Sequence, residues 1–195
     1  SNGERYVVAW TDMPDTTTVN VKAQVFDRAG VALTGVITVN STPLTFNTAR
    51  PITIDVGMDS AGRFAVVYDT VPSSVTNGYD DAVVRRYAAD GTPYGSAQAI
   101  GASTRVDGTV SISLSASGRI IVGYEQATSN FLTRRFNYTL FASFENLASS
   151  SSTSISTTGG AVTPNVEFNV DGNILVASHT TPTTSSVSMR VAGSS

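Results

Sequence analysis

Three copies of one recurring phrase end in an aromatic residue followed closely by an acid: Trp10 and Asp12, Tyr68 and Asp69, Tyr124 and Glu125. In a fourth equivalent place stand Ser178 and His179. An aromatic ring beside a carboxylate suits carbohydrate, the ring stacking on a sugar while the carboxylate accepts from its hydroxyls. Repeated along a chain, such pairs would give several weak sites and gain by avidity. The same residues suit a purely structural role, with the ring packed between layers and the acid bonded to backbone amides of a neighbouring loop.

Other chemistry finds little support. His179 is the only histidine, it stands among threonines, and no Gly-x-Ser-x-Gly elbow accompanies it, so a nucleophilic triad is not expected. Glycoside hydrolysis needs a pair of carboxylates as acid and base, and no such pair is marked by the sequence. The chain is therefore read as lacking catalytic residues. Calcium takes aspartate and carbonyl oxygens. The candidates are Asp12, Asp15, Asp80-Asp81 and Asp90, but none forms an Asp-x-Asp-x-Asp-Gly loop. They read as solvated turn acids; calcium is the one metal kept open, with Asp80-Asp81 as its best-placed pair, and no other cofactor is expected. The absence of cysteine removes disulfides, thiolate chemistry and thiolate metal sites together.

The chain has 195 residues, enough for a single domain of ordinary size, and is 41% hydrophobic, enough for a core. Only 14% of residues are charged, with one lysine, Lys22, against eleven arginines. A net charge of −3 argues against nucleic acid, whose phosphates call for a basic stripe. No apolar run approaches the roughly 18 residues of a membrane helix, so no membrane insertion is expected. The Ser/Thr-rich, lysine-poor composition leans towards an extracellular or cell-surface setting.

The aromatic–acid pairs close the same phrase in successive copies of a repeat: Arg5-Tyr-Val-Val-Ala-Trp10, Arg63-Phe-Ala-Val-Val-Tyr68, Arg119-Ile-Ile-Val-Gly-Tyr124 and Asn173-Ile-Leu-Val-Ala-Ser178. The copies start 58, 56 and 54 residues apart. A near-constant period of this size means one supersecondary unit used several times. Each phrase is apolar at both alternate sets of positions and too short for a core helix, so it reads as a strand buried on both faces. A Gly turn precedes it, and in three copies an alternating strand precedes the turn: 51–56, 110–114 and 164–170. A third strand follows at 19–27, 82–88, 131–137 and 187–191, and a fourth at 35–39 and 97–100.

Four hairpin-connected antiparallel strands are one propeller blade. With strands lettered A to D, the chain reads B-C-D, A-B-C-D, A-B-C-D, A-B-C. The expectation is an all-β, propeller-like array of about three and a half four-stranded blades, with a β-sandwich as the alternative. It forms a single repeat domain over 1–195, with copies at 1–46, 47–103, 104–160 and 161–195. In the third copy, 137–144 alternates and could extend strand C. The serine run of 147–155 reads as a surface loop leading to strand D.

If strands B and C share one register in every copy, Arg5 faces Phe26, Arg63 faces Tyr87 and Arg119 faces Phe136, while Asn173 faces Val191. An arginine over a ring across a strand pair would add roughly 0.5–1 kcal/mol of structural support.

The run Tyr6-Val-Val-Ala-Trp10, Val21-Lys-Ala-Gln-Val-Phe-Asp-Arg-Ala-Gly30, Gly35-Val-Ile-Thr-Val-Asn40 resembles a repeat of very large exported bacterial proteins. In that repeat "FVVVW" is followed by "YAQRFDxxGxxxG" and "FxVN". The second copy keeps Val66-Val-Tyr68, Arg86-Tyr87, Asp90-Gly91 and Gly95; the third keeps Arg135-Phe136. The resemblance implies a propeller-like β array in a secreted or surface protein, often beside adhesion-type or calcium-binding modules, and implies no activity. Sialidases are propellers too, but the turns here place no acid two residues before glycine, as their Ser-x-Asp-x-Gly-x-x-Trp box requires. The function expected is a non-enzymatic structural or adhesive module that assembles with copies of itself or with neighbouring domains of a longer parent chain. A lectin-like glycan-binding propeller is the alternative, and a glycan hydrolase the third reading.

Overall fold

A computed structural model describes residues 1–45, 52–70, 82–100, 106–127, 134–147, 150–156, 162–169, 171–180 and 190–192. Among these there is no helix, and none of the chain's described elements could cross a membrane as one. The strands form three four-stranded antiparallel sheets and one of three strands. The first holds β1 (Arg5–Asp12), β2 (Thr18–Asp27), β3 (Ile37–Thr38) and β4 (Leu44–Thr45), with β3 and β4 both on β2. The second runs β5 (Ile54–Met58), β6 (Phe64–Asp69), β7 (Ala82–Tyr87), β8 (Gln98–Ile100) in chain order. The third repeats this with β9 (Val106–Leu114), β10 (Ile120–Ala127), β11 (Arg134–Phe141) and β12 (Ser150–Ser156). The fourth holds β13 (Val162–Phe168), β14 (Ile174–Thr180) and β15 (Arg190–Ala192). The strand order is thus the one the repeat called for. The small strand β4, clipped to Thr18 and Val19, was not foreseen.

Sheets stack face to face, as strands apolar on both sides demand. Between the first and second sheets, Val21, Ala23 and Val25 meet Phe64, Val66 and Tyr68. Between the second and third, Ala65, Val67 and Val84 meet Ile112, Ile120 and Val122. Between the third and fourth, Ile121, Phe136 and Tyr138 meet Val166, Phe168 and Ile174. The alternate residues of the second and third phrases therefore serve two different interfaces.

The B–C hairpin register differs from the expected one. Arg5 lies opposite Asp27, and Tyr6, not Arg5, faces Phe26. In the second sheet it is Phe64 that faces Tyr87. In the third, Phe136 faces Glu125, and the ring opposite Ile120 belongs to Phe141. In the fourth, Val191 faces Leu175. In the first two sheets the shift is one residue and turns ring onto ring: Tyr6 stacks on Phe26 at 5.4 Å and Phe64 on Tyr87 at 4.9 Å. Stacked rings of this kind bury more area than an arginine stem over a ring, and the arginines turn elsewhere.

The serine run also departs from expectation. Residues Ser150–Ser156 are not a loop before strand D; they are strand D, paired with β11 from Phe141↔Ser150 to Arg135↔Ser156. Backbone pairing alone suffices there, and the hydroxyls of Thr139 and Ser152 lie 3.0 Å apart across the pair. The expected extension of strand C is present, β11 continuing to Phe141.

Candidate functional site

The arginines that open the repeated phrase form one structural set, placed by one turn. In each A–B turn a polar residue accepts the amide four residues on: Asp59 from Arg63 at 2.9 Å, Ser115 from Arg119 at 2.9 Å, Asn169 from Asn173 at 2.8 Å. Asn2 accepts from Arg5 at 3.0 Å in the first copy. Glycine closes the turn because its φ is +81° at Gly62 and +87° at Gly118, a region costly for other residues. The turn throws the arginine outward, onto the next sheet.

Arg5 Nη1 donates to the Ala89 carbonyl at 3.2 Å, and its Cδ lies 3.0 Å from where a Cβ on Gly62 would be. Arg63 lies over the Phe144 ring at 4.5 Å and donates from Nη1 to Glu145 while Nε holds Asp59 at 2.7 Å. Arg119 donates to the Gly172 carbonyl at 3.2 Å and lies over Phe168 at 5.3 Å. Each arginine thus clamps its own sheet to the next one. Cation–π contact exists, but with rings of the following copy. Burial pulls the Arg63 guanidinium down, and the bonds to Asp59 and Glu145 outweigh it and raise it. Glu145 is held below the usual carboxylate range by its own backbone amide and then by Arg63. Arg86 adds to the same junction, lying 5.3 Å from the Tyr94 ring and donating to the Phe144 carbonyl.

A second set of contacts joins the A strands. Asp55 Oδ2 accepts from the Ile112 amide at 2.8 Å. Ser111 and Ser113 accept from the Val166 and Phe168 amides at 3.2 and 3.1 Å. These polar residues sit between apolar ones in the alternating strands, and nothing within one strand marks their role. Their only sequence signal is recurrence at the repeat's own spacing.

Of the aromatic–acid pairs, two are buried. Tyr68 and Asp69 are 4% and 1% exposed, and Asp69 Oδ1 accepts from the Thr53 amide at 2.5 Å. Burial raises the Tyr68 phenol. Tyr124 and Glu125 are also buried, with Thr109 Oγ1 3.4 Å from Glu125 Oε2. Trp10 is half-buried and Asp12 exposed, facing Lys22 and Asn20. Each pair lies on strand B of its own sheet. Phe26 and Tyr87 take part in ring stacks, while Phe136 joins the core between the third and fourth sheets.

Among the acids weighed for calcium, Asp15 caps the β1–β2 loop by accepting from the amides of Thr17 and Thr18, both at 2.7 Å. These bonds, led by the Thr17 amide, hold its carboxyl down to about 2. Asp90 accepts from the Thr92 amide at 2.9 Å and is lowered by it. Asp80-Asp81 lies outside the described residues, as does the His179 side chain. Among the described residues no three acidic or histidine side chains gather to hold a metal.

The sequence matches no protein-family model and no curated protein. Function therefore rests on the sheets and the contacts between them.

Proposed function

We propose that this chain is a non-enzymatic structural or adhesive repeat module of an exported or cell-surface bacterial protein. In this reading it assembles, through its outermost sheet, with copies of itself or with neighbouring domains. The stack is part of a propeller-like array. One observation carries this. Tyr6, Val8 and Trp10 occupy the places of Phe64, Val66 and Tyr68, which the preceding sheet covers, yet Val8 is 42% exposed where Val66 is fully buried. An apolar sheet face of this kind marks an interaction surface. The clamps and inner-strand bonds support a rigid scaffold rather than a site that works on a substrate.

Light scattering over a wide concentration range tests the assembly. The expected result is a mass above the monomer that falls in Val8→Asp. A monomer at every concentration would overturn the reading. Immobilised glycans test the lectin alternative. Retention that disappears in Trp10→Ala would replace assembly by carbohydrate binding, because Trp10 and Asp12 are the aromatic–acid pair that meets solvent. Cleavage of a chromogenic glycoside would restore the hydrolase reading.

A further inference from the structure

The D strands of the first three sheets differ in length. Strands β3 and β8 are no longer than Ile37–Thr38 and Gln98–Ile100, whereas β12 runs for the seven residues Ser150–Ser156. Strand β12 lies in the interior of the chain and pairs with β11. Among the described residues no strand lies on its other side. Proteins commonly blunt such an edge by brevity, charge or proline. This one is long. It is serine with one threonine and one isoleucine, and no charged residue stands between Glu145 and Glu167.

Which backbone groups of β12 are open follows from the ladders. Ser115 donates to the Arg119 carbonyl, and Ile112 gives its amide to Asp55 of another sheet. Direction alternates along an antiparallel strand, so Ser113 and Ser111 bond to their partners Ile121 and Gly123. Ile120, Val122 and Tyr124 then bond on the other side, to Phe141, Thr139 and Asn137 of β11. Leu140, Tyr138 and Phe136 are left to serve β12, through Ser151, Thr153 and Ile155. Ser150, Ser152, Ser154 and Ser156 therefore turn their N–H and C=O groups to the open edge. That set is symmetric about Thr153. A second copy of the strand, run antiparallel, meets it in full: Ser150 pairs with Ser156, Ser152 with Ser154, and Thr153 lies opposite itself. A slip of the partner by two residues would leave an end pair unmade.

We infer that β12 is a self-pairing edge through which two copies of this chain join. Their two four-stranded third sheets become one continuous antiparallel sheet, with a two-fold axis at Thr153. Main-chain bonds supply the attachment, and full overlap of the open groups supplies the register. No charge enters the contact, so the two copies do not repel there. The contact is isologous and closes at two copies instead of growing into a fibre. An unrelated extended peptide would find the same backbone groups but no apolar alternation along the edge to choose its side chains. The inference rests on the assembly reading above in taking a second copy as partner, and it uses a surface separate from Val8.

The chain has no cysteine, so single cysteines introduced on β12 report the pairing. Thr153→Cys sets two thiols opposite each other, at the roughly 4.5 Å Cα spacing of a non-hydrogen-bonded pair and within disulfide reach. Ser151→Cys sets them four residues apart along the ladder, beyond that reach. Under mild oxidation Thr153→Cys should form a covalent dimer faster than Ser151→Cys by on the order of tenfold or more. Equal rates, or no dimer in Thr153→Cys, would overturn the inference. Ser154→Pro removes an outward N–H while sparing the ladder to β11. Light scattering should show its dimer dissociation constant raised by on the order of tenfold. Ser154→Lys, which brings like charges to the paired edge, should weaken the dimer as well. Far-UV circular dichroism of both variants should match the wild type, and an unchanged mass in both would overturn the inference. A mass that falls in Val8→Asp but in neither Ser154 variant would sink this inference and leave the proposed surface standing. A fall in the Ser154 variants alone would do the reverse.

Discussion

Strands β1 and β6 carry nearly the same phrase in different company. Every residue of Phe64–Asp69 is buried, whereas Arg5–Asp12 is half-buried or exposed along its whole length. Their side chains are of the same kind: Tyr6, Val8 and Trp10 against Phe64, Val66 and Tyr68. The difference lies in the neighbours, since β6 has a sheet on each face and a strand on each edge. Burial here is a property of position in the stack. The sequence of β1 is written for a place as enclosed as that of β6.

The comparison breaks or sharpens on paired substitutions. The largest effect is expected from Phe64→Ala, which should cost about 3–5 kcal/mol by leaving a cavity between two sheets. Tyr6→Ala should cost about 1 kcal/mol, chiefly the ring stack on Phe26. Urea unfolding of both variants measures the gap, and equal costs would mean that β1 is covered in solution.

Next come the turn glycines. Gly118→Ala should cost about 2–4 kcal/mol, because it combines a left-handed backbone with collision against Arg63 and a Cβ 3.2 Å from that of Phe144. Gly3→Ala has a similar φ of +90° but open space, and should cost about 1 kcal/mol. Thermal melts of the two variants read the value of the arginine clamp by difference.

The inner-strand bonds should show a smaller contrast. Asp55→Ala removes the acceptor of both Val56 and Ile112 and should cost about 1–3 kcal/mol. Ser111→Ala removes one acceptor, that of Val166, and should cost about 1 kcal/mol by the same urea assay.

The smallest effect concerns acid. The Asp15 carboxyl is lowered from 3.8 to about 2 in the folded chain. A depressed folded value means that its stabilisation is full above about 3.8 and is lost as pH falls towards about 2. The melting difference between wild type and Asp15→Ala should therefore narrow over that window and stay constant above it. Glu145 gives the matching case on the clamp, its contribution also declining as pH drops below the usual carboxylate value.

Much of the fold could be read from residues. Period-2 alternation and the glycine turns placed the strands, and the fifty-odd-residue spacing ordered them into sheets. Hairpin register could not be read the same way. Aligning copies on their arginines put Arg5 against Phe26, but ring-on-ring packing favours a register one residue over. In the third copy Phe136 drew the alignment away from Phe141, which lies on the opposite face of β11, because the arginine–aromatic match was made without regard to face. Ser150–Ser156 offered no apolar pattern, and only its partner β11 makes it a strand. The candidate site was half legible. The arginines stood out by recurrence, but their targets lie one copy away, where no local rule points. Asp55, Ser111 and Ser113 did not stand out, because nothing in a single strand shows which amides another sheet will offer.

The stack has one more consequence. Strand contacts run from β1 to β5, from β5 and β6 to β9, and from β9, β10 and β11 to β13, linking each sheet chiefly to its immediate neighbours. Such a chain behaves like a row of coupled spins: each unit's persistence depends on its own energy and on whether the unit beside it is ordered. Heat or mechanical tension would then peel the terminal units before the middle ones. A cap fitted to either end would raise the endurance of units it never touches.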